Sequence, residues 1–185
     1  MKNRNVILVS AVGTALLAAV VVLLILAPWK RHRSEYAGEE TREIKTLAPE
    51  DLQELRAGGG WGLARAAELN GVPGPAHLLP MAEEIGLSPE QVARIEEIYG
   101  EMKNRAIPLG EELIELEREL NRRFAEGTIT EESLRRLVDQ IGDVTSDLRY
   151  VHLQTHLTTP ELLTADQIAR YNRLRGYDHA GDHAH

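Results

Sequence analysis

The chain has 185 residues, only 4% of them aromatic, carries a formal charge of −8 and contains no cysteine. An excess of acid over base opposes phosphate-backbone binding, which needs dense Lys and Arg, so no nucleic-acid partner is expected. The lack of thiols excludes disulfides, thiolate metal sites and a lipidated N-terminal cysteine, and the abundance of Leu, Glu, Arg and Ala favours long helices.

The N-terminus opens with Val6 to Trp29, 24 residues without a charge. About 20 such residues cross a bilayer core, whereas a cleaved signal peptide has an apolar core of roughly 7–15 and a small-residue cleavage site. Residues 1–33 therefore read as a membrane anchor, with a cleaved signal segment as the alternative. Trp29 and the cluster Lys30 to Arg33 would lie at the interface. The flanking charges tie, with Lys2, Arg4 and the amino terminus against Lys30, Arg31 and Arg33, so charge alone does not orient the span.

Residues 34–60 read as a tether, polar from Ser34 to about Lys45, with one short helix over Leu47 to Arg56. Ala57 to Gly62 (AGGGWG) lacks the Lys-Ser/Thr ending of a phosphate loop and follows no strand, so a flexible joint is expected. Residues 61–177 form the main domain. It starts with short, helix-prone pieces punctuated by Gly and Pro. After Leu87–Gln91 (LSPEQ), apolar residues fall at Val92, Ile95, Ile98, Met102, Ala106, Leu109, Leu113, Leu116, Leu120 and Phe124. Steps of three and four mark one long helical seam, with a kink expected near Asn104–Pro108. Gly127 stops this helix and Thr130 starts another, whose seam is Leu134, Leu137, Ile141, Val144, Leu148, Val151 and Thr155. Two seams joined by a short loop predict an antiparallel helical hairpin. A last helix carries Ile168, Tyr171 and Leu174 on one face, and Arg170, Tyr171, Arg173 and Arg175 are candidates to anchor it on an acidic neighbour. The fold class is all-α, with short helices flanking the long hairpin and one transmembrane helix before it.

LSPEQ recurs as LTADQ at Leu163–Gln167. In each copy a hydroxyl residue, Ser88 or Thr164, suits a helix N-cap. Gln91 or Gln167, three residues on, can reach back to the cap's own amide, while Leu87 or Leu163 staples onto the next turn. Starting a helix accounts for each copy taken alone.

Two such motifs flanking a helical hairpin, behind a membrane-targeting segment, resemble the Spy/CpxP family, the LTXXQ-motif periplasmic proteins. The resemblance covers roughly Leu78 to Tyr177. That family holds ATP-independent chaperones and heavy-metal sensor or resistance proteins. The resemblance implies a hooked all-α hairpin, often a homodimer, on the periplasmic side of the inner membrane, and it resolves the orientation tie. The family's general chaperones are cleaved, soluble and basic on their concave face. This chain reads as anchored and acidic, which favours the membrane-anchored metal-sensing branch. Unfolded clients or a membrane signalling partner follow from the same resemblance.

His152 and His156 lie four residues apart, hence on one helix face, a spacing that can chelate Zn²⁺, Ni²⁺, Co²⁺ or Cu²⁺. Alternatively His152 merely borders the seam one turn after Leu148. Leu153 stands where a zinc protease carries its glutamate, and no catalytic constellation stands out, so the chain reads as a non-enzyme whose fold requires no cofactor. The family resemblance makes His152 and His156 the inherited metal pair. His77, Glu83 and Glu84, just before the first motif, are further ligand candidates. Residues 178–185, DHAGDHAH, add His179, His183 and His185 in a solvated tail that can also chelate.

Overall fold

The computed structural model describes residues 33–177, and the proposed anchor over residues 6–29 lies outside them. The chain divides into two compact units, one ending at Gly38 and the other starting at Glu39. In the described part of the first, Ser34 closes a turn: its carbonyl accepts from the Ala37 amide (3.1 Å) and its hydroxyl from the Tyr36 amide (3.1 Å). Among the described residues every regular element is helical, and no helix is long and apolar enough to cross a membrane.

In the second unit a 3₁₀ turn at Glu39–Thr41 precedes α1 (Pro49–Arg56), α2 (Arg65–Glu68), α3 (Pro75–Leu78), α4 (Ala82–Ile85), α5 (Pro89–Ala125), α6 (Glu131–Thr158) and α7 (Ala165–Arg175). Among the described residues the two long helices, α5 and α6, make the most extensive contact. Arg105 donates to Gln154 (2.8 Å) across it, and the buried Met102 faces Thr155. α5 continues as one helix through Pro108, which removes one backbone donor without ending the run.

The alternation of threes and fours is expressed directly in burial. Ile95, Met102, Ala106 and Leu113 of α5 and Leu137, Val144, Leu148 and Val151 of α6 are all buried. Phe124 and Leu174, placed on seams by spacing, are exposed instead. Ile44, Leu47 and Leu55 pack into the same core as Met102, Leu113 and Leu148. The stretch read as tether therefore contributes to the core from Ile44 onward. A smaller core joins Leu78, Ile85, Ile95 and Tyr171, with Leu87 and Leu163 of the repeated motif packed against it.

The segment Ala57–Gly62 is a held turn where the sequence suggests a flexible joint. Gly58 is buried, and a Cβ there would stand 3.0 Å from the Ile107 side chain. Trp61 takes a positive φ of 44°, a conformation that needs external support. Its amide donates to Glu54 Oε1 (2.7 Å) and its indole to Asp51 Oδ1 (2.9 Å), so two carboxylates of α1 fix the loop.

The two motif copies meet. Ser88 and Thr164 cap α5 and α7 through the amides of Gln91 and Gln167 (3.2 Å each). Gln91 Oε1 accepts from Ser88 N (2.8 Å), and Gln167 Oε1 accepts from Thr164 N (2.9 Å). Each glutamine then donates to the other's side-chain oxygen (2.9 Å both ways). The second hydrogen of Gln91 Nε2 goes to Leu162 O (2.7 Å), and that of Gln167 Nε2 to Gly86 O (2.9 Å). Both donors and both acceptor positions of each amide are engaged. The repeat is thus a reciprocal clasp holding the start of α5 to the start of α7, a role that helix starting alone does not require.

Candidate functional site

α6 carries His152 and His156 on its inner face, where Gly-rich and Pro-rich backbone crosses them. A cavity of about 300 Å³ lies between α6, α5 and the segment from Glu54 to His77. His77, His152 and His156 all line it, with Glu54, Glu68, Met102 and Thr155. His152 and His156 are 3% and 6% exposed, so both are buried beside the seam residues Leu148 and Val151.

The His156 ring is oriented by its backbone neighbours. Nδ1 stands 2.8 Å from Val72 O, and since a carbonyl only accepts, Nδ1 carries the proton and Nε2 holds the lone pair in the neutral ring. A Cβ on Gly74 would lie 2.5 Å from Nε2, so glycine at this position keeps the space beside the lone pair open. Such a hydrogen bond on the rear nitrogen is the usual orienting partner of a metal-binding imidazole.

His152 Nε2 is buried and has no hydrogen-bond partner. Burial lowers the pKa of His152, and the neighbouring His156 adds to this; the Glu54 carboxylate and the Gly59 backbone oppose it. The ring is therefore neutral at pH 7, the protonation state in which imidazole binds metal. A buried, unpartnered, neutral nitrogen is costly in a folded core and calls for a ligand or a role.

The remaining predicted residues separate. His77 joins the cavity, but its Nε2 is paired with Glu68 Oε1 at 3.0 Å. Glu83 and Glu84 do not join it: they are exposed on α4, a helix whose inward residue is Ile85. His179, His183 and His185 lie outside the described residues. Of the arginines expected to anchor α7, Arg175 Nη2 donates to Glu68 Oε2 (3.3 Å) and to the Tyr177 hydroxyl (3.1 Å). Arg170 reaches Ile85 O (3.5 Å) and Arg173 is exposed, while Tyr171 is buried in the smaller core, where burial pushes its phenol up to about 12.

Glu54, Glu68 and the cavity-facing role of Met102 were not read from the sequence. Met102 obeys the seam spacing, which marks it only as core, and no local pattern links Glu54 or Glu68 to histidines 70 or more positions away. Among the described residues no three His, Asp or Glu side chains stand together as a ready metal cage. The fit to a metal rests on the His152–His156 pair: one nitrogen buried without a partner, the other presented by a fixed tautomer. Comparison with family models, curated proteins and solved structures finds no match for the chain.

Proposed function

We propose that the chain is an inner-membrane protein with its helical unit in the periplasm, of the Spy/CpxP type, which senses or buffers a transition metal at His152 and His156. In this reading residues 6–29 are the anchor, α5 and α6 form the antiparallel hooked hairpin, and a homodimer signals to a membrane partner through a change in helix packing. The observation that carries the proposal is the buried His152–His156 pair lining one cavity, with the His152 Nε2 nitrogen unpartnered. Neutral imidazoles at i and i+4 suit Zn²⁺, Ni²⁺, Co²⁺ or Cu²⁺.

Calorimetry of the full chain in detergent micelles, titrated with each of these ions, tests it. The parent is expected to show a tight event at the cavity and a weaker one at the tail. The His152→Ala, His156→Ala double variant is expected to lose the tight event by about a hundredfold or more in affinity, because removing both nitrogens leaves no paired donor. Unchanged binding by the double variant sinks the helix site.

A second reading, an ATP-independent holdase for unfolded proteins, draws on exposed apolar side chains on the long helices: Phe124 (57%), Tyr150 (59%) and Leu157 (73%). It requires the full chain to suppress aggregation of a denatured client without ATP, and no suppression at molar excess removes it.

A further inference from the structure

We infer that the turn Gly59–Gly62 is a gate over the His152 imidazole, held shut by Trp61 through its bonds to Glu54 and Asp51. That the gate admits a metal ion rests on the reading above; that it opens does not.

The need for a moving part follows from burial. His152 Nε2 is buried, and the residue as a whole is 3% exposed. A metal–imidazole bond is about 2.0–2.1 Å long, and the ion arrives carrying water. Such an ion does not reach a nitrogen closed to solvent until a wall of the cavity gives way.

Most of the walls are fixed. Tyr99 and Met102 project from α5, and Thr155 from α6, two long helices whose seams form the main core. The wall at Gly74–Ala76 is pinned by Pro73 and Pro75, both fully buried, and by the contact of Val72 O with the His156 ring (2.8 Å). The glycine-rich turn is different. Gly58, Gly59, Gly60 and Gly62 line the cavity, and the Gly59 backbone meets the His152 ring. The Gly59 amide donates to Glu54 O (2.8 Å), where α1 ends. Beyond it Gly60 O accepts from Leu63 N (2.7 Å) and Gly62 O from Arg65 N (3.3 Å), bonds that can travel with the loop. A Cβ on Gly60 would meet nothing within 4 Å, so the turn is loosely packed there.

Trp61 holds this turn down. Its indole donates to Asp51 Oδ1 (2.9 Å), its amide donates to Glu54 Oε1 (2.7 Å), and its ring packs half-buried against the main core. Its φ of 44° lies in the left-handed region, which bulky side chains rarely adopt. Release relieves that strain, so the closed turn persists only while those contacts hold it. Four glycines in five residues, from Gly58 to Gly62, give the rest of the segment no side chains to anchor it. Such a segment opens locally at less cost than the unit unfolds.

The test needs no metal. The full chain in detergent micelles at pH 7 is treated with diethyl pyrocarbonate, which acylates neutral imidazole, and each histidine is followed by mass spectrometry of its peptide. In the parent His152 is expected to react at least about tenfold more slowly than His77, whose side chain is 36% exposed. Trp61→Phe keeps a ring but loses the bond to Asp51, and is expected to speed His152 by about three- to tenfold. Gly60→Ala fits the closed turn and restricts the open one, and is expected to slow His152 by about two- to fivefold. Amide exchange at Leu148 and Val151 of α6, unchanged in both variants, separates local opening from unfolding. A parent in which His152 reacts as fast as His77, or variants that leave its rate unchanged or move it in the same direction, overturns the gate. If the gate pattern holds but the parent takes up no Zn²⁺ in calorimetry, the metal reading falls and the gate stands. If Zn²⁺ binds while both variants react like the parent, the gate falls and the metal reading stands.

Discussion

Gly110→Ala is expected to destabilise the helical unit by about 1–3 kcal/mol, although alanine is the better helix former. A Cβ at this position would stand 2.5 Å from Leu55 O and 3.0 Å from Leu55 C. Both are backbone atoms and cannot rotate away. α1 would have to lift from α5, loosening Leu55, Leu47 and Ile44 from the core they share with Leu113 and Ile114. Two controls lie on the long helices, Gly100 on α5 and Gly142 on α6. Gly100 and Gly142 have nothing within 4 Å of a built Cβ, so alanine there is expected to stabilise by about 0.5–1 kcal/mol through helix propensity alone. Denaturant midpoints at constant slope measure all three. The same sign at all three sites would show that α1 does not rest on α5 as described.

The second large effect concerns the clasp. Gln91→Ala removes two donated bonds and two accepted ones, and leaves half of the Gln167 amide without its partner. Each hydrogen bond contributes about 0.5–1.5 kcal/mol net, so a loss of about 2–4 kcal/mol is expected for Gln91→Ala, and a similar one for Gln167→Ala. The two are not additive, because both delete the same reciprocal pair; the double variant is expected to fall short of the sum by about 1 kcal/mol or more. Gln91→Glu is the diagnostic substitution. A carboxylate can still accept the Ser88 amide and complements the positive helix end, so the cap survives. It has no hydrogen to give Leu162 O or Gln167 Oε1, so the two bonds that Gln91 donates are lost and a carboxylate oxygen faces two acceptors, while the bond from Gln167 Nε2 can still be accepted. If Gln91→Glu matches the parent in stability, helix starting is the whole role of the motif.

The sequence already carried the all-helical fold, because a seam of threes and fours needs only local spacing to be read. Met102, Leu113, Val144 and Leu148 are buried where that spacing puts them. The capping residues Ser88, Thr130 and Thr164 start α5, α6 and α7. What local spacing could not carry is tertiary. Ile44 docks in the core from a charged stretch, and the glycine-rich turn is fixed by Glu54 and Asp51, contacts with no periodic signature. The glutamines of the clasp lie 76 positions apart, and a capping box accepts Glu as readily as Gln, so nothing local revealed that each amide needs its hydrogens.

At the candidate site the i, i+4 spacing of His152 and His156 was legible, since it is a property of one helix. His77 reaches the cavity while Glu83 and Glu84 do not, because their burial depends on how short helices pack, and α4 turns Ile85 inward. Met102 reads as a core residue from its spacing, and only the packing of α5 on α6 shows that it also lines the cavity.

Nitrogen-15 spectra of histidine-labelled full-length protein in detergent micelles, recorded at pH 7 before and after one equivalent of Zn²⁺, test the central claim most directly. Without metal, His156 is expected in the Nδ1–H form dictated by Val72 O. On metal addition the Nε2 resonances of His152 and His156 are expected to shift together, with the His156 Nδ1–H retained. Shifts confined to His179, His183 and His185 would place the metal on the tail alone and contradict the account.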